Sequence, residues 1–158
     1  MPEPYLLLVE DNLADAVLVR QAIQTLGWEV EFEHVMTGDE GIKQLVSAVV
    51  RDTPPERILV LLDINLPGIG GLDVLRQFKQ HPTTRRIPVV VYTSSDDPGL
   101  VGEALDRHAN LVLRKLLDLD QHLDQLAQVA VAFLGHSDSA TAPLFCAPPA
   151  KATTEMKH

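Results

Sequence analysis

Residues 58–68 read ILVLLDINLPG. Five apolar residues, Ile58 to Leu62, run without a break into Asp63, and Pro67–Gly68 signals a turn soon after. A short run that is apolar at every position is expected of a strand buried on both faces, as in parallel sheets covered by helices. A carboxylate is costly to bury without a partner, so Asp63 belongs where the strand leaves the core. What else reaches the same rim decides both the fold and the chemistry.

Outward from this stretch, strand-length apolar runs alternate with segments of helical period. Tyr5–Val9 reads as a strand. Ala14–Leu26 reads as a helix, with Ala14, Val17, Leu18, Ala22 and Leu26 at helical spacing and Gly27 as its stop. Val30–Val35 alternates apolar and acidic residues, as a half-buried edge strand does. Gly38–Val50 is the second helix, broken by TPPE at Thr53–Glu56. Strand Arg57–Leu62, helix Gly71–Gln80, strand Pro88–Tyr92, helix Pro98–Arg107, strand Asn110–Leu113 and helix Leu119–Leu134 follow, the last closed by Gly135. Five strand–helix units in succession predict an α/β fold: one parallel sheet with helices on both faces.

The 158 residues, 46% of them hydrophobic, suit one domain over residues 1–135. From His136 to His158 the chain is small, polar, Pro- and Ala-rich, and is expected to be a tail outside the core. A net charge of −9 gives no reason to expect nucleic acid as a partner. The lone Cys146 cannot form an internal disulfide, which points to a reducing, cytoplasmic location. The N-terminus has no basic stretch, and its apolar run is too short for a signal peptide or a membrane span.

In open α/β sheets, ligands bind outside the C-terminal ends of the strands. Glu10 and Asp11 follow the first strand, Asp63 the third, Thr93 the fourth, and Arg114 and Lys115 the fifth. Each has an ordinary reading. Glu10–Asp11–Asn12 suits a helix cap, Asp63 a strand-exit turn, the TSSDDPG stretch from Thr93 a turn and cap, and Lys115 a solvated surface. All of them on one rim argue for more. Three acids held close either share protons or recruit a cation. Hard oxygen ligands with room for water suit Mg²⁺, and the backbone carbonyl of Asn65, in the turn after Asp63, adds one more oxygen. A carboxylate beside Mg²⁺ can attack phosphorus and become an aspartyl phosphate. The metal and a lysine ammonium offset the charge on the phosphoryl oxygens, and the Thr93 hydroxyl can donate to one of them.

The acid pair Glu10–Asp11, the Asp63-x-x-x-Pro67-x-x-x-Gly71 stretch, Thr93 and Lys115, in this order and at these strand ends, resemble the response-regulator receiver domain of two-component signalling. The resemblance implies a flavodoxin-like, doubly wound five-stranded parallel sheet of order 2-1-3-4-5. It implies that Asp63 accepts phosphate from a sensor histidine kinase in a Mg²⁺-dependent phosphorelay. Glu10, Asp11, Asp63 and the Asn65 carbonyl would hold the metal. Thr93 and Lys115 would stabilise the phosphoryl group, with Thr93 the switch hydroxyl. Asn65 and Ser95, two places after Asp63 and Thr93, sit where the family tunes dephosphorylation. Such a protein is a phosphoacceptor, catalysing only its own phosphotransfer and dephosphorylation. More narrowly, VEDNLADAVLVRQAI, HPTTRRIPVVVYTSS and the lack of an output domain are similar to stand-alone regulators that partner bacterial phytochrome kinases, many of them homodimers.

Two positions depart from the family. The place three before the lysine, usually aromatic, holds Val112, so an aromatic switch is missing there. The lysine is followed by Leu116 rather than proline. A cis bond to leucine would cost about 2.5–4 kcal/mol, so the loop is either rebuilt in trans or strained. On helix Leu119–Leu134, the residues Leu119, Leu123, Leu126, Ala130 and Phe133 form a core-facing stripe that Ala127, Val131 and Leu134 widen. The widening reads as a dimer face built on the fourth helix, fifth strand and fifth helix, or else as deeper burial in the chain's own domain or cover by the tail. Pro143–Leu144–Phe145 could strap onto a partner subunit or onto this one. The rival functions are a receiver-like binding module that works without phosphorylation, a haloacid-dehalogenase-type Mg²⁺ phosphohydrolase, and a flavin carrier. A hydrolase of that kind wants a second Asp where Asn65 stands, and its nucleophile after the first strand. A flavin carrier wants a phosphate loop where Glu10–Asp11 would repel phosphate.

Overall fold

The computed structural model describes residues 3–51, 53–134 and 153–155. The five expected strands form β1 (Tyr5–Val9), β2 (Glu31–Val35), β3 (Ile58–Leu62), β4 (Val89–Thr93) and β5 (Leu111–Arg114). The helices are α1 (Leu13–Leu26), α2 (Gly38–Val50), α3 (Gly71–Gln80), α4 (Pro98–Asp106) and α5 (Leu119–Leu134). The five strands are parallel, in the order β2-β1-β3-β4-β5. The strands read as continuously apolar are buried at every residue, and alternating β2 stands at the sheet edge.

The two-residue period of the strands divides the core into two layers. Leu7, Val9, Val60, Leu62, Val91 and Val112 face the layer holding Leu45 of α2, Val74, Leu75 and Phe78 of α3, and Ala104 of α4. Leu6, Leu8, Leu59, Leu61, Val90, Tyr92 and Leu113 face Ala16, Val19 and Ala22 of α1 and Leu126, Val129 and Ala130 of α5. Register then fixes the rim. Val9 lies beside Val35 and Leu62, and Leu62 beside Val91. The backbone ladder runs past the strand ends: the Glu10 amide donates to Val35 O (3.0 Å), the Asp63 amide to Val9 O (3.0 Å) and the Lys115 amide to Thr93 O (2.8 Å).

Several expectations change. The buried face of α1 is Ala16, Val19, Ala22 and Ile23, while Ala14 and Val17 are exposed. The stretch LADAVLV carries apolar residues on both faces, so periodicity alone leaves the helix phase open. On α5, Leu119 is exposed rather than core-facing. Two of the three residues assigned to a dimer face, Ala127 and Leu134, are buried within the chain, and Val131 is half-buried. A 3-10 turn at Pro55–Arg57 delays β3 to Ile58, and β4 runs on to include Thr93.

Within the stretch expected to be a tail outside the core, Thr153–Glu155 forms a sixth strand, antiparallel to β5 and outermost in the order β2-β1-β3-β4-β5-β6. The outer edge of β5 offers backbone amides and carbonyls for such a pairing. Pro143–Leu144–Phe145 and Cys146 lie outside the described residues.

Candidate functional site

Asp63 is delivered to the rim by β3, and its backbone is clamped from the other side by α3. The Gly71 amide donates to Ile64 O (2.9 Å). A Cβ on Gly71 would lie 2.2 Å from the Asp63 carbonyl oxygen. Only a residue without a side chain lets the helix start this close to the acid. Gly68, at φ +71°, turns the intervening loop through the left-handed region.

Glu10 and Asp63 are almost fully buried and Asp11 is exposed, and one carboxylate oxygen from each lies within 4.8 Å of the others. Glu10 Oε2 accepts from the Asn12 amide (3.2 Å) and Asp63 Oδ1 from the Asn65 amide (3.3 Å). Lys115 Nζ makes a short contact with Glu10 Oε1, lies 2.8 Å from Asp15 Oδ2, and stands 3.7 Å from Asp63 Oδ2. Thr93 Oγ1 accepts from the Ser95 amide (3.1 Å), and Ser95 Oγ from the Asp97 amide (3.2 Å). Asp97 in turn caps α4 by accepting from Gly99 (2.9 Å). The peptide bonds of the described residues are trans, Lys115–Leu116 included.

Burial pushes the Glu10 carboxyl up to about 7, Asp63 adds to the rise, and Lys115 works against it. Burial also works to lower Lys115, but its bonds to Asp15 and Glu10 and the charge of Asp63 outweigh that, and the ammonium is held above its ordinary value. One ammonium thus serves a cluster containing Glu10, Asp15 and Asp63, with Asp11 beside it. The uncompensated negative charge and the all-oxygen donor set of Glu10, Asp11 and Asp63 fit a small hard divalent cation such as Mg²⁺.

Of the strand-end residues singled out in the sequence, Glu10, Asp11, Asp63 and Lys115 come together here and Thr93 ends β4 on the same side of the sheet, whereas Arg114 pairs with Asp96 (3.0 Å). Val112 does not reach this rim. It is 1% exposed and packed in the α2–α3–α4 layer. The aromatic near the site is Tyr92, one residue before Thr93 and on the opposite face of the sheet. Its hydroxyl lies 2.5 Å from His122 Nδ1 on α5, a buried hydrogen bond. Sequence reasoning missed this pair, and it missed Asp15 and His34, whose Nε2 bonds the Glu10 carbonyl oxygen (2.8 Å). A polar residue inside the apolar stretch PVVVYT, matched by His122 among leucines, was the available signal for the Tyr92 pair. For Asp15 no signal preceded knowledge of the helix phase.

The family model of the response regulator receiver domain matches residues 6–127. Response regulator Rcp1 of Synechocystis sp. is 36% identical over 118 residues, which cover 75% of this chain and 80% of that protein. The crystal structure of the phosphorylated cyanobacterial phytochrome response regulator RcpA is similar with a TM-score of 0.75 at 30% identity, over 86% of this chain and 97% of that one. The Mn²⁺-bound form of Rcp1 is similar with a TM-score of 0.70 at 31% identity, over 84% and 96%. The family match runs from β1 into α5, across every strand end that contributes to the rim, and the chain belongs to the response regulator receiver domains.

Proposed function

We propose that this chain takes a phosphoryl group onto Asp63 from a sensor histidine kinase, in a cytoplasmic phosphorelay of the kind bacteriophytochromes feed. One observation carries the reading: a nearly buried carboxylate, Asp63, stands on a rigid strand end beside two further acids and 3.7 Å from an ammonium. The phytochrome link rests on the likeness to RcpA and Rcp1.

In the reaction, a carboxylate oxygen of Asp63 attacks phosphorus, the bond from phosphorus to the donor's nitrogen breaks, and its electron pair stays on the departing imidazole. Glu10, Asp11, Asp63 and the Asn65 carbonyl would hold Mg²⁺, which when bound would supply positive charge at the phosphoryl oxygens. Lys115 leaves Glu10 and pairs with one of those oxygens. Thr93, whose hydroxyl oxygen accepts from Ser95 in the resting state, turns its proton toward another. Asn65 and Ser95, two places after Asp63 and Thr93, would tune the later hydrolysis of the acyl phosphate. The chain's catalysis is limited to its own phosphotransfer and dephosphorylation. Exposed Leu13, Val17 and Leu117, close in sequence to the acids and to Lys115, offer apolar surface to a docking donor.

Transfer from a radiolabelled, autophosphorylated bacteriophytochrome kinase tests the partner. Rapid movement of label to wild type and none to Asp63→Asn supports the reading. Label that stays on the kinase while acetyl phosphate still labels Asp63 points to a different kinase. We further propose a homodimer whose face includes half-buried Val131, and sedimentation of Val131→Asp tests it: a drop from dimer to monomer mass supports a face there, and an unchanged mass refutes it. A receiver-like module working without phosphorylation is the second reading, favoured by the buried Val112 in the switch place.

A further inference from the structure

We infer that Asp15 is a positioning residue for Lys115: it holds the ammonium in the resting protein and competes with the phosphoryl group for it. The inference rests on the reading of Asp63 as phosphoacceptor.

Asp15 belongs to none of the groups that would hold the cation, yet it makes one of the two closest contacts to the lysine, Oδ2 to Nζ at 2.8 Å. Its place is rigidly set. Asn12 caps α1 by accepting from the Asp15 amide (3.2 Å), and Asn12 O accepts from the Ala16 amide (3.0 Å). The Asp15 carboxylate is therefore aimed from the first turn of α1 across to the end of β5. The lysine side chain is 12% exposed, and that of Asp15 30%, so the pair is better shielded than a surface ion pair.

The two partners of the ammonium differ in what happens to them. Glu10 is both the lysine's partner and a member of the cation-holding group. When its carboxylate turns to a cation, the cation's charge replaces the ammonium's and repels it. Asp15 has no such competing duty and remains the lysine's partner. The ammonium stands 3.7 Å from Asp63, short of a hydrogen bond, so its 2.8 Å contact with Asp15 opposes any move toward a phosphoryl group there. A cleft of about 160 Å³ lined by Asp15, Tyr92, Ser94, Lys115 and His122 gives the side chain room to swing.

An acid in the first turn of a helix also favours the helix dipole, a purely structural role. A double-mutant cycle separates the two. The test uses wild type, Asp15→Asn, Lys115→Ala and the double variant, with thermal unfolding to establish that each is folded. The first readout is the rate of labelling by acetyl phosphate in Mg²⁺. Asp15→Asn is expected to raise the rate about fivefold, the scale of one ion pair, to leave the rate unchanged in the Lys115→Ala background, and to be reversed by Asp15→Glu. The same factor in both backgrounds, or no change in either, overturns the inference. The second readout needs no phosphorylation: solvent exchange of the Lys115 ammonium by NMR in Mg²⁺, expected to be slow in wild type and fast in Asp15→Asn. Equal exchange in the two also overturns it. If wild type takes no label while exchange still depends on Asp15, the receiver reading fails and the Asp15–Lys115 pairing stands.

Discussion

Replacing Gly71 by alanine places a methyl group 2.2 Å from the Asp63 carbonyl oxygen and 2.6 Å from Ile64 Cα. Ordinary carbon–oxygen contacts lie at about 3.3 Å or more, so the N-terminus of α3 and the Asp63 turn must part by about 1 Å. Neither obstacle is a flexible side chain that could swing aside. Forced overpacking of this kind costs about 1–3 kcal/mol. In a domain of this size that lowers the melting temperature by roughly 4–12 °C. The same movement carries the phosphoacceptor out of line with Glu10, Asp11 and Lys115, and a misplacement of ~1 Å slows positioned chemistry about 100-fold. Gly70 is the control. Its φ of −70° suits any residue, and a Cβ there meets nothing within 4 Å. Differential scanning fluorimetry and acetyl phosphate labelling of Gly70→Ala and Gly71→Ala, side by side, check the argument. Gly70→Ala should behave as wild type while Gly71→Ala loses both stability and labelling. Indistinguishable variants would refute the claim that close approach of α3 positions Asp63.

The acid–base state of Glu10 makes metal binding pH-dependent. Its carboxyl must be ionised to hold a cation, and with a value of about 7 it is mostly protonated at pH 6 and mostly ionised at pH 8. Calorimetric titration should therefore find Mg²⁺ affinity rising about tenfold from pH 6 to pH 8 and levelling above, whereas an affinity flat across that range contradicts the assignment. Tyr92→Phe removes the partner of His122 Nδ1 in a site where Nε2 also has no partner among the described residues. Urea unfolding should show a loss of about 1–3 kcal/mol, and a variant as stable as wild type would mean that water already satisfies the imidazole.

Much of this was readable in the chain because two signals agreed. Ile58–Leu62 and Val89–Val91 are apolar at every position, as strands of a sheet covered on both faces are, and the acids and the lysine fall where such strands end. Backbone position at a strand end is nearly enough to place a functional group, since the strand is straight and its neighbours fix the register. Helical residues are harder. Asp15 could be placed beside Lys115 only once α1 was known to bury Ala16 and Val19 rather than Val17 and Leu18. On α5 the wide stripe was legible, but what covers Ala127 and Leu134 depends on tertiary packing. Strand Thr153–Glu155 carries no pattern of its own, being three residues whose partner is the free edge of β5. Tyr92 and His122, thirty residues apart, have meaning only as a pair.

The most direct test of the central claim is phosphate uptake by Asp63. Wild type and Asp63→Asn are incubated with acetyl phosphate, with and without Mg²⁺, and resolved on a phosphate-affinity gel, alongside rapid acid quenching to capture a short-lived acyl phosphate. A shifted band in wild type that needs Mg²⁺ and vanishes in Asp63→Asn is the predicted result. A shifted band that survives in Asp63→Asn, or none in wild type even after rapid quenching, would contradict the account and turn attention to a module that binds its partners unphosphorylated.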